Sequence, residues 1–217
     1  MNGDLIQDVF VKTEKNKFTS AIRLAADFDF TQCSIRQVLF PDLNAPIVGD
    51  AENPCAELVS GIIGKTVLTS ANATGIQWWS PSCPAIYRLK TELISPDGGI
   101  SGSHVDRISF RDIQYDGKHF LLNGIPLSQK QADEIKIEGL NLDQNHVVQC
   151  NEEGMLIVIR IDQGTDEKSL VEAIERLRNS PSVIAWDFTS KSEFKQKKAL
   201  LESLDGKRPV LYGFKAD

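Results

Sequence analysis

No apolar run in this chain approaches the roughly 18–20 residues needed to cross a bilayer, so no membrane-spanning helix is expected. The first residues, Met1-Asn2-Gly3-Asp4, lack both the basic start and the apolar stretch of a secretory signal. A cytoplasmic chain is therefore expected, unless it is cut from a larger secreted precursor. No lysine or arginine cluster offsets the net charge of −6, which disfavours nucleic acid and anionic membranes as partners. Cysteine is scarce: Cys33, Cys55, Cys83 and Cys150 show neither C-x-x-C nor zinc-site spacing, and free, partly buried thiols are expected. The three histidines, His104, His119 and His146, are scattered without metal-ligand spacing. Neither a metal nor a cofactor is expected.

What is present is ordinary globular material, 41% hydrophobic and 25% charged over 217 residues, enough for one large domain or two small ones. Through residue 113 the pattern is all-β. Asp8-Val9-Phe10-Val11-Lys12 alternates polar and apolar as a half-buried strand should. Further strands are expected at 19–28, 34–40, 62–69, 85–95 and 104–113, with a hairpin turn at Ser95-Pro96-Asp97-Gly98-Gly99. Segment 42–60 is weakly patterned and reads as a long loop. Short strands between Pro, Gly, Asn and Asp turns point to an immunoglobulin-like β-sandwich at 1–113. After Asp116-Gly117-Lys118 and Asn123-Gly124 the period becomes helical, at about 129–138, 144–153, 166–179 and 192–204. Apolar strands are expected between at 155–161, 182–187 and 209–213. Such alternation implies parallel pairing with right-handed crossovers. A closed eight-stranded barrel needs roughly 200 residues, so 114–217 reads as a partial, degenerate (β/α) barrel with an open sheet edge. The fold class is thus multi-domain, β plus α/β.

Six stretches carry a family resemblance, in order along the chain. They are Asp4-Leu5-Ile6-Gln7-Asp8-Val9; Trp79-Ser80-Pro81-Ser82-Cys83-Pro84-Ala85-Ile86-Tyr87; Phe110-Arg111-Asp112-Ile113 with Phe120-Leu121-Leu122-Asn123-Gly124-Ile125-Pro126; Cys150-Asn151-Glu152-Glu153-Gly154-Met155-Leu156; Ser180-Pro181-Ser182-Val183-Ile184-Ala185-Trp186; and Leu204-Asp205-Gly206-Lys207-Arg208-Pro209-Val210. Together they resemble glycoside hydrolase family 2, the β-galactosidase, β-glucuronidase and β-mannosidase group. The resemblance implies that family's immunoglobulin-like domain followed by the early part of its TIM barrel. It also implies where the chemistry would sit: an Asn-Glu pair four and five residues past the tryptophan, its Glu the general acid/base. Those positions hold Ser190 and Lys191. The jelly roll that precedes these domains in the family, and the later strands bearing its nucleophile, are not matched within residues 1–217.

The remaining candidates are few. Glu193 is the carboxylate nearest the acid/base position; the competing reading is a first-turn helix carboxylate favoured by the macrodipole, with Ser190 or Ser192 as N-cap. Asp187 and Asp162 each follow or close a strand, where a glycosidase would place its two carboxyls. Trp78, Trp79, Tyr87 and Trp186 are the aromatics that a sugar-binding reading recruits, Trp186 at the strand mouth first among them; the competing reading for all four is core or junction packing. The expectation is a truncated family 2-like pseudoenzyme related to carbohydrate metabolism. The alternatives are a non-catalytic glycan- or protein-interaction module and one part of a split β-glycosidase. The partners expected are carbohydrate or a complementary chain, or a second copy through the open barrel edge.

Overall fold

A computed structural model describes residues 5–27, 29–42 and 54–215. The chain is mostly β with some helices, and it divides into two compact units. One comprises residues up to Gln77 together with Ala85–Phe110; the other comprises Trp78–Pro84 and everything from Arg111 onward.

Among the described residues, the first unit holds seven strands: β1 (Ile6–Glu14), β2 (Lys17–Leu24), β3 (Ser34–Pro41), β4 (Ala56–Gly61), β5 (Thr66–Asn72), β6 (Tyr87–Ile94) and β7 (Ile100–Ile108). They form two antiparallel sheets, ordered β1-β2-β5 and β4-β3-β6-β7. Period-two alternation sends Phe18, Ile22 and Leu24 from one sheet, and Ile35, Leu39, Leu89 and Leu93 from the other, into the interior. Among these apolar groups lies one buried amide. Gln37 Nε2 donates to Thr91 Oγ1 (3.0 Å) and Ser20 Oγ (3.3 Å), while its Oε1 accepts from Thr69 Oγ1 (2.6 Å). These bonds run from β3 to β2, β5 and β6 and so tie the two sheets together. The segment 42–60 departs from the expected loop: Ala56–Gly61 is strand β4, paired with β3 from Gly61↔Ser34 to Ala56↔Leu39. Its half-exposed edge position explains the weak pattern. Residues 43–53 lie outside the described residues, as does Phe28 of the expected second strand.

In the second unit, β8 (Ile113–Tyr115), β9 (Phe120–Leu122) and β10 (Ile125–Pro126) form a small antiparallel sheet. Helix α1 (Gln129–Asp133) follows. Then come β11 (Lys136–Gly139), α2 (Gln144–Glu153), β12 (Ile157–Ile161), α3 (Glu167–Leu177), β13 (Val183–Phe188), α4 (Lys191–Leu204) and β14 (Val210–Tyr212). The last four strands pair in parallel in chain order, β11-β12-β13-β14. The helix expected over 129–138 therefore ends early. Glu134 caps α1, and Lys136 N–H donates to the Leu156 carbonyl (2.9 Å), turning 136–139 into an edge strand. One face of the parallel sheet packs Ile157, Ile159, Ile161, Trp186 and Phe188 against Val147, Leu170, Ile174, Leu177 and Leu201 of the helices. The alternate residues Arg160 and Asp187 point to the other face.

Trp78–Pro84, expected within the first domain, belongs to the second unit through two hydrogen bonds. The fully buried Trp79 donates its indole N–H to the Asn151 carbonyl (3.1 Å), and Asn123 Nδ2 donates to the Trp79 carbonyl (3.0 Å). Gly154 ends α2 in the left-handed region (φ +71), and a Cβ there would lie 2.4 Å from the Pro81 carbonyl oxygen. The thiols of Cys33 and Cys150 are buried and those of Cys55 and Cys83 half-buried; all four are free.

Candidate functional site

In open or closed α/β sheets, ligands are met at the C-terminal ends of the parallel strands. Here those ends are Gly139, Ile161, Phe188 and Tyr212, with the loops that follow them. A cavity of about 310 Å³ opens beside β11 and β12, lined by Asn141, Arg160, Asp162, Thr165 and Asp166 among others.

Arg160 and Asp187 are register partners on β12 and β13 and face the same side of the sheet. Asp187 is fully buried, and both of its oxygens are taken. Oδ2 accepts from Arg160 Nη2 (3.1 Å) and Nε (3.3 Å), and Oδ1 accepts from the Phe214 backbone N–H (2.9 Å). Arg160 Nη2 also donates to the Phe214 carbonyl (2.7 Å). The ring of bonds is closed by Gly213, whose φ of +69 turns the chain back over the sheet, and whose N–H donates to the Phe188 carbonyl (3.1 Å). A lone arginine inside the apolar run Ile157-Val158-Ile159-Arg160-Ile161 was the available signal for this pair, because a charge in a buried strand requires an opposite charge beside it.

Glu193 lies in the first turn of α4, beneath the loop after β12. Its Oε1 accepts the Gly164 N–H (2.9 Å) and pairs with Lys197 Nζ (3.2 Å). The Gly164 N–H, with Lys197 assisting, outweighs desolvation and holds the Glu193 carboxyl below the ordinary glutamate value. Lys197 also donates to the Thr165 carbonyl, so this ion pair ties the β12–α3 loop to α4. Ser190 is the N-cap residue of α4, but its hydroxyl makes no capping bond; it meets the Ser192 hydroxyl instead (2.9 Å). Lys191, at the matched acid/base position, is exposed on the first turn.

Asp162 is exposed at the cavity, its carbonyl accepting from the Thr165 N–H (3.2 Å) and hydroxyl (2.8 Å). The strand-end neighbourhood thus gathers Asp162 and, through Arg160 and Gly164, Asp187 and Glu193. It does not gather Trp186. That ring is fully buried among the helix-side residues, and its indole N–H donates to Asp205 Oδ2 (2.8 Å). No face of Trp186 is open to a sugar. Tyr87 is likewise buried, edge-to-face on Phe110 with its hydroxyl accepting the Gln77 N–H (2.7 Å). Among the described residues, no group of three His, Cys, Asp or Glu side chains could hold a metal ion, and no helix is long and apolar enough to cross a membrane.

No family model and no curated protein matches this chain by sequence. Solved structures do match its fold. A β-glucuronidase of Bifidobacterium dentium, solved with coumarin-3-O-glucuronide, superposes with a TM-score of 0.73 at 14% identity over 94% of this chain and 43% of its own. A glycosyl hydrolase family 2 member from Bacteroides cellulosilyticus gives 0.72 at 15% identity, over 95% of this chain and 36% of its own. For β-glucuronidase 3 of Bacteroides uniformis the values are 0.69 and 17%, over 95% of this chain and 33% of its own. The chain therefore spans between a third and somewhat over two-fifths of the length of these enzymes, and along nearly all of its own length it has their fold.

Proposed function

We propose that this chain is a family 2 glycoside-hydrolase-like, carbohydrate-related polypeptide that does not hydrolyse glycosides by itself. One observation carries the reading: at the strand ends where two carboxyls would have to act, Asp187 is buried with both oxygens bonded. Glycoside hydrolysis needs an acid and a second carboxylate, roughly 5–5.5 Å apart for retention or 6.5–9.5 Å for inversion, and the acid must hold its proton near neutral pH. Glu193 is perturbed in the opposite direction, towards the ionised form. That leaves Asp162 exposed, with Lys191 where the resemblance would put the acid/base.

The fold likeness supports a finer architecture as well. The first unit reads as an immunoglobulin-like sandwich and the second as a partial (β/α) barrel, with the domain boundary near 113/114 apart from the Trp78–Pro84 segment. A second reading, a glycan- or protein-interaction module, is favoured by the open cavity at Asn141 and Asp162. Lys191 counts against a split glycosidase, because the chain would then bring no acid/base to its partner.

Assays with aryl β-glucuronides, β-galactosides and β-mannosides test the proposal. No turnover is expected, since loss of the general acid alone costs about 10²–10⁴-fold. Turnover that Asp162→Asn or Glu193→Gln abolishes would overturn it.

A further inference from the structure

A second cleft, of about 860 Å³, lies within the second unit beside the end of β14, and no strand-end carboxylate lines it. Four aromatic side chains from three segments line it: Tyr115 and Phe120 on the β8–β9 hairpin, Tyr212 on β14, and Phe214 just beyond. Three of them pack together, the buried Phe120 lying between the half-buried Tyr115 and Phe214. Tyr115 packs on Phe120 with centroids 4.9 Å apart, and Phe120 meets Phe214 edge-to-face at 5.6 Å. The Phe214 end of this cluster is fixed, because the Phe214 backbone is clamped from both sides by Asp187 and Arg160. The buried ion pair thus holds a ring in place, and a ring already in position costs a ligand less ordering.

Among the described residues, the charged side chains lining the cleft are Lys118, His119 and Lys215, with no aspartate or glutamate, in a chain whose net charge is −6. Asp116 sits behind the hairpin turn, accepting the backbone N–H groups of Lys118 (2.8 Å) and His119 (2.7 Å), with its carboxylate 3.7 Å from His119 Nδ1. It answers the imidazole but not the lysines. Among the described residues, neither the Lys118 nor the Lys215 ammonium has an ion-pair partner, and the two arise from different segments of the rim.

We infer that this cleft binds a planar aromatic anion, such as an aryl carboxylate or sulfonate, its ring against the half-buried Tyr115 and Phe214 side chains that flank Phe120, and its acid group towards Lys118 and Lys215. The cleft has room for a ligand of that size. Aromatic faces reward a flat apolar body, and unpaired ammonium groups reward a negative tip. A neutral ring leaves the lysines unused, and a small anion leaves the aromatic side chains bare.

Calorimetric titration with 2-naphthoate, 2-naphthalenemethanol and acetate separates these cases. Naphthoate is expected to bind about tenfold more tightly than the neutral alcohol, with acetate undetected. In the Lys118→Gln/Lys215→Gln variant the preference for the anion is expected to fall to within about twofold. Both lysines are exposed, so that variant is expected to keep its circular dichroism and melting temperature. Phe214→Ala is expected to weaken both aromatic ligands. Equal binding of naphthoate and the alcohol, an unchanged naphthoate affinity in the double lysine variant, or no naphthoate binding at millimolar concentration would each overturn the inference. None of these outcomes bears on the hydrolytic reading, which rests on the Asp187, Glu193 and Lys191 side chains and shares with the cleft only the Phe214 backbone, kept in Phe214→Ala.

Discussion

Replacing Arg208 with methionine should cost the second unit about 3–5 kcal/mol, the range seen when one partner of a buried ion pair is removed. The reasoning starts from full occupancy. Arg208 donates from Nε to the Val183 carbonyl (2.5 Å), from Nη1 to the Arg178 carbonyl and to Asp205 Oδ2 (both 2.7 Å), and from Nη2 to the Ser180 carbonyl. Both charged side chains are almost wholly buried, at 2% and 0% exposure, so the desolvation of Asp205 is not relieved by water. Methionine would fill much of the volume, but it would leave a buried carboxylate with the Trp186 indole N–H and a weak Lys207 N–H contact at 3.3 Å. Carbonyls that lose a donor add up to about 1 kcal/mol each, which the flexible thioether partly offsets. All three tryptophans lie in this unit, so urea unfolding followed by tryptophan fluorescence reports on it directly.

The pH dependence makes the test sharper. In the native protein, burial pushes the Asp205 carboxyl up, but Arg208 and the Trp186 indole outweigh it and hold the pKa below the ordinary aspartate value. Its stabilisation is therefore complete above the unfolded aspartate pKa and is lost as pH falls through the lower native one. Without Arg208 the burial dominates and the native pKa rises above the unfolded value. The sign reverses: the penalty is then full at neutral pH and shrinks as the carboxyl takes up a proton. The gap between the native protein and Arg208→Met should accordingly narrow from pH 7 towards pH 5. Adding Asp205→Asn should restore stability at pH 7. A loss below about 1 kcal/mol, or a gap that does not change with pH, would refute this account of the unit's polar interior.

Two other substitutions probe separate devices. Gly154→Ala forces a Cβ to 2.4 Å from the Pro81 carbonyl oxygen at a left-handed backbone position, and thermal melting should show a loss of about 2 kcal/mol or more. Gln37→Leu leaves the Ser20, Thr69 and Thr91 hydroxyls without the amide that joins them, so chemical denaturation should show the first unit weakened by about 1–3 kcal/mol, with faster amide exchange along β3 and β5.

How much of this was legible in the sequence depended on burial. Strands β12 and β13 are covered on both faces, so Ile157-Val158-Ile159 and Val183-Ile184-Ala185 read as plain apolar runs and were found. The edge strands β4 and β11 are half-exposed and carry Glu57, Lys136 and Glu138, so their patterns resemble loop and helix instead. For the candidate carboxylates the sequence shows the residues but not their bonded state. Nothing in the spacing of Asp187 reveals that Phe214, 27 positions later, returns to close its hydrogen bonds, because that contact depends on a turn at Gly213 and on the register of β13 with β12.

The residues that carried the family resemblance have a common physical role. Trp79 donates to the Asn151 carbonyl, and the Asn151 side chain accepts from the Ser180 hydroxyl (2.6 Å) and the Ser182 N–H (3.1 Å). Asn123 holds the Trp79 carbonyl, Arg111 donates to the Val183 carbonyl (2.6 Å), and Arg208 donates to the same carbonyl while pairing with Asp205. These polar groups gather at or near the start of β13, Trp79, Asn151, Asp205 and Arg208 buried and Asn123 and Arg111 half-buried, and each satisfies another, so replacing a buried one strands its partner. The Asn-Glu positions, filled by Ser190 and Lys191, lie at the opposite end of the same strand, on a partly exposed helix start where side chains can change at little cost to folding. One end of β13 therefore reports the fold and the other the chemistry, and similarity at the first carries no information about the second.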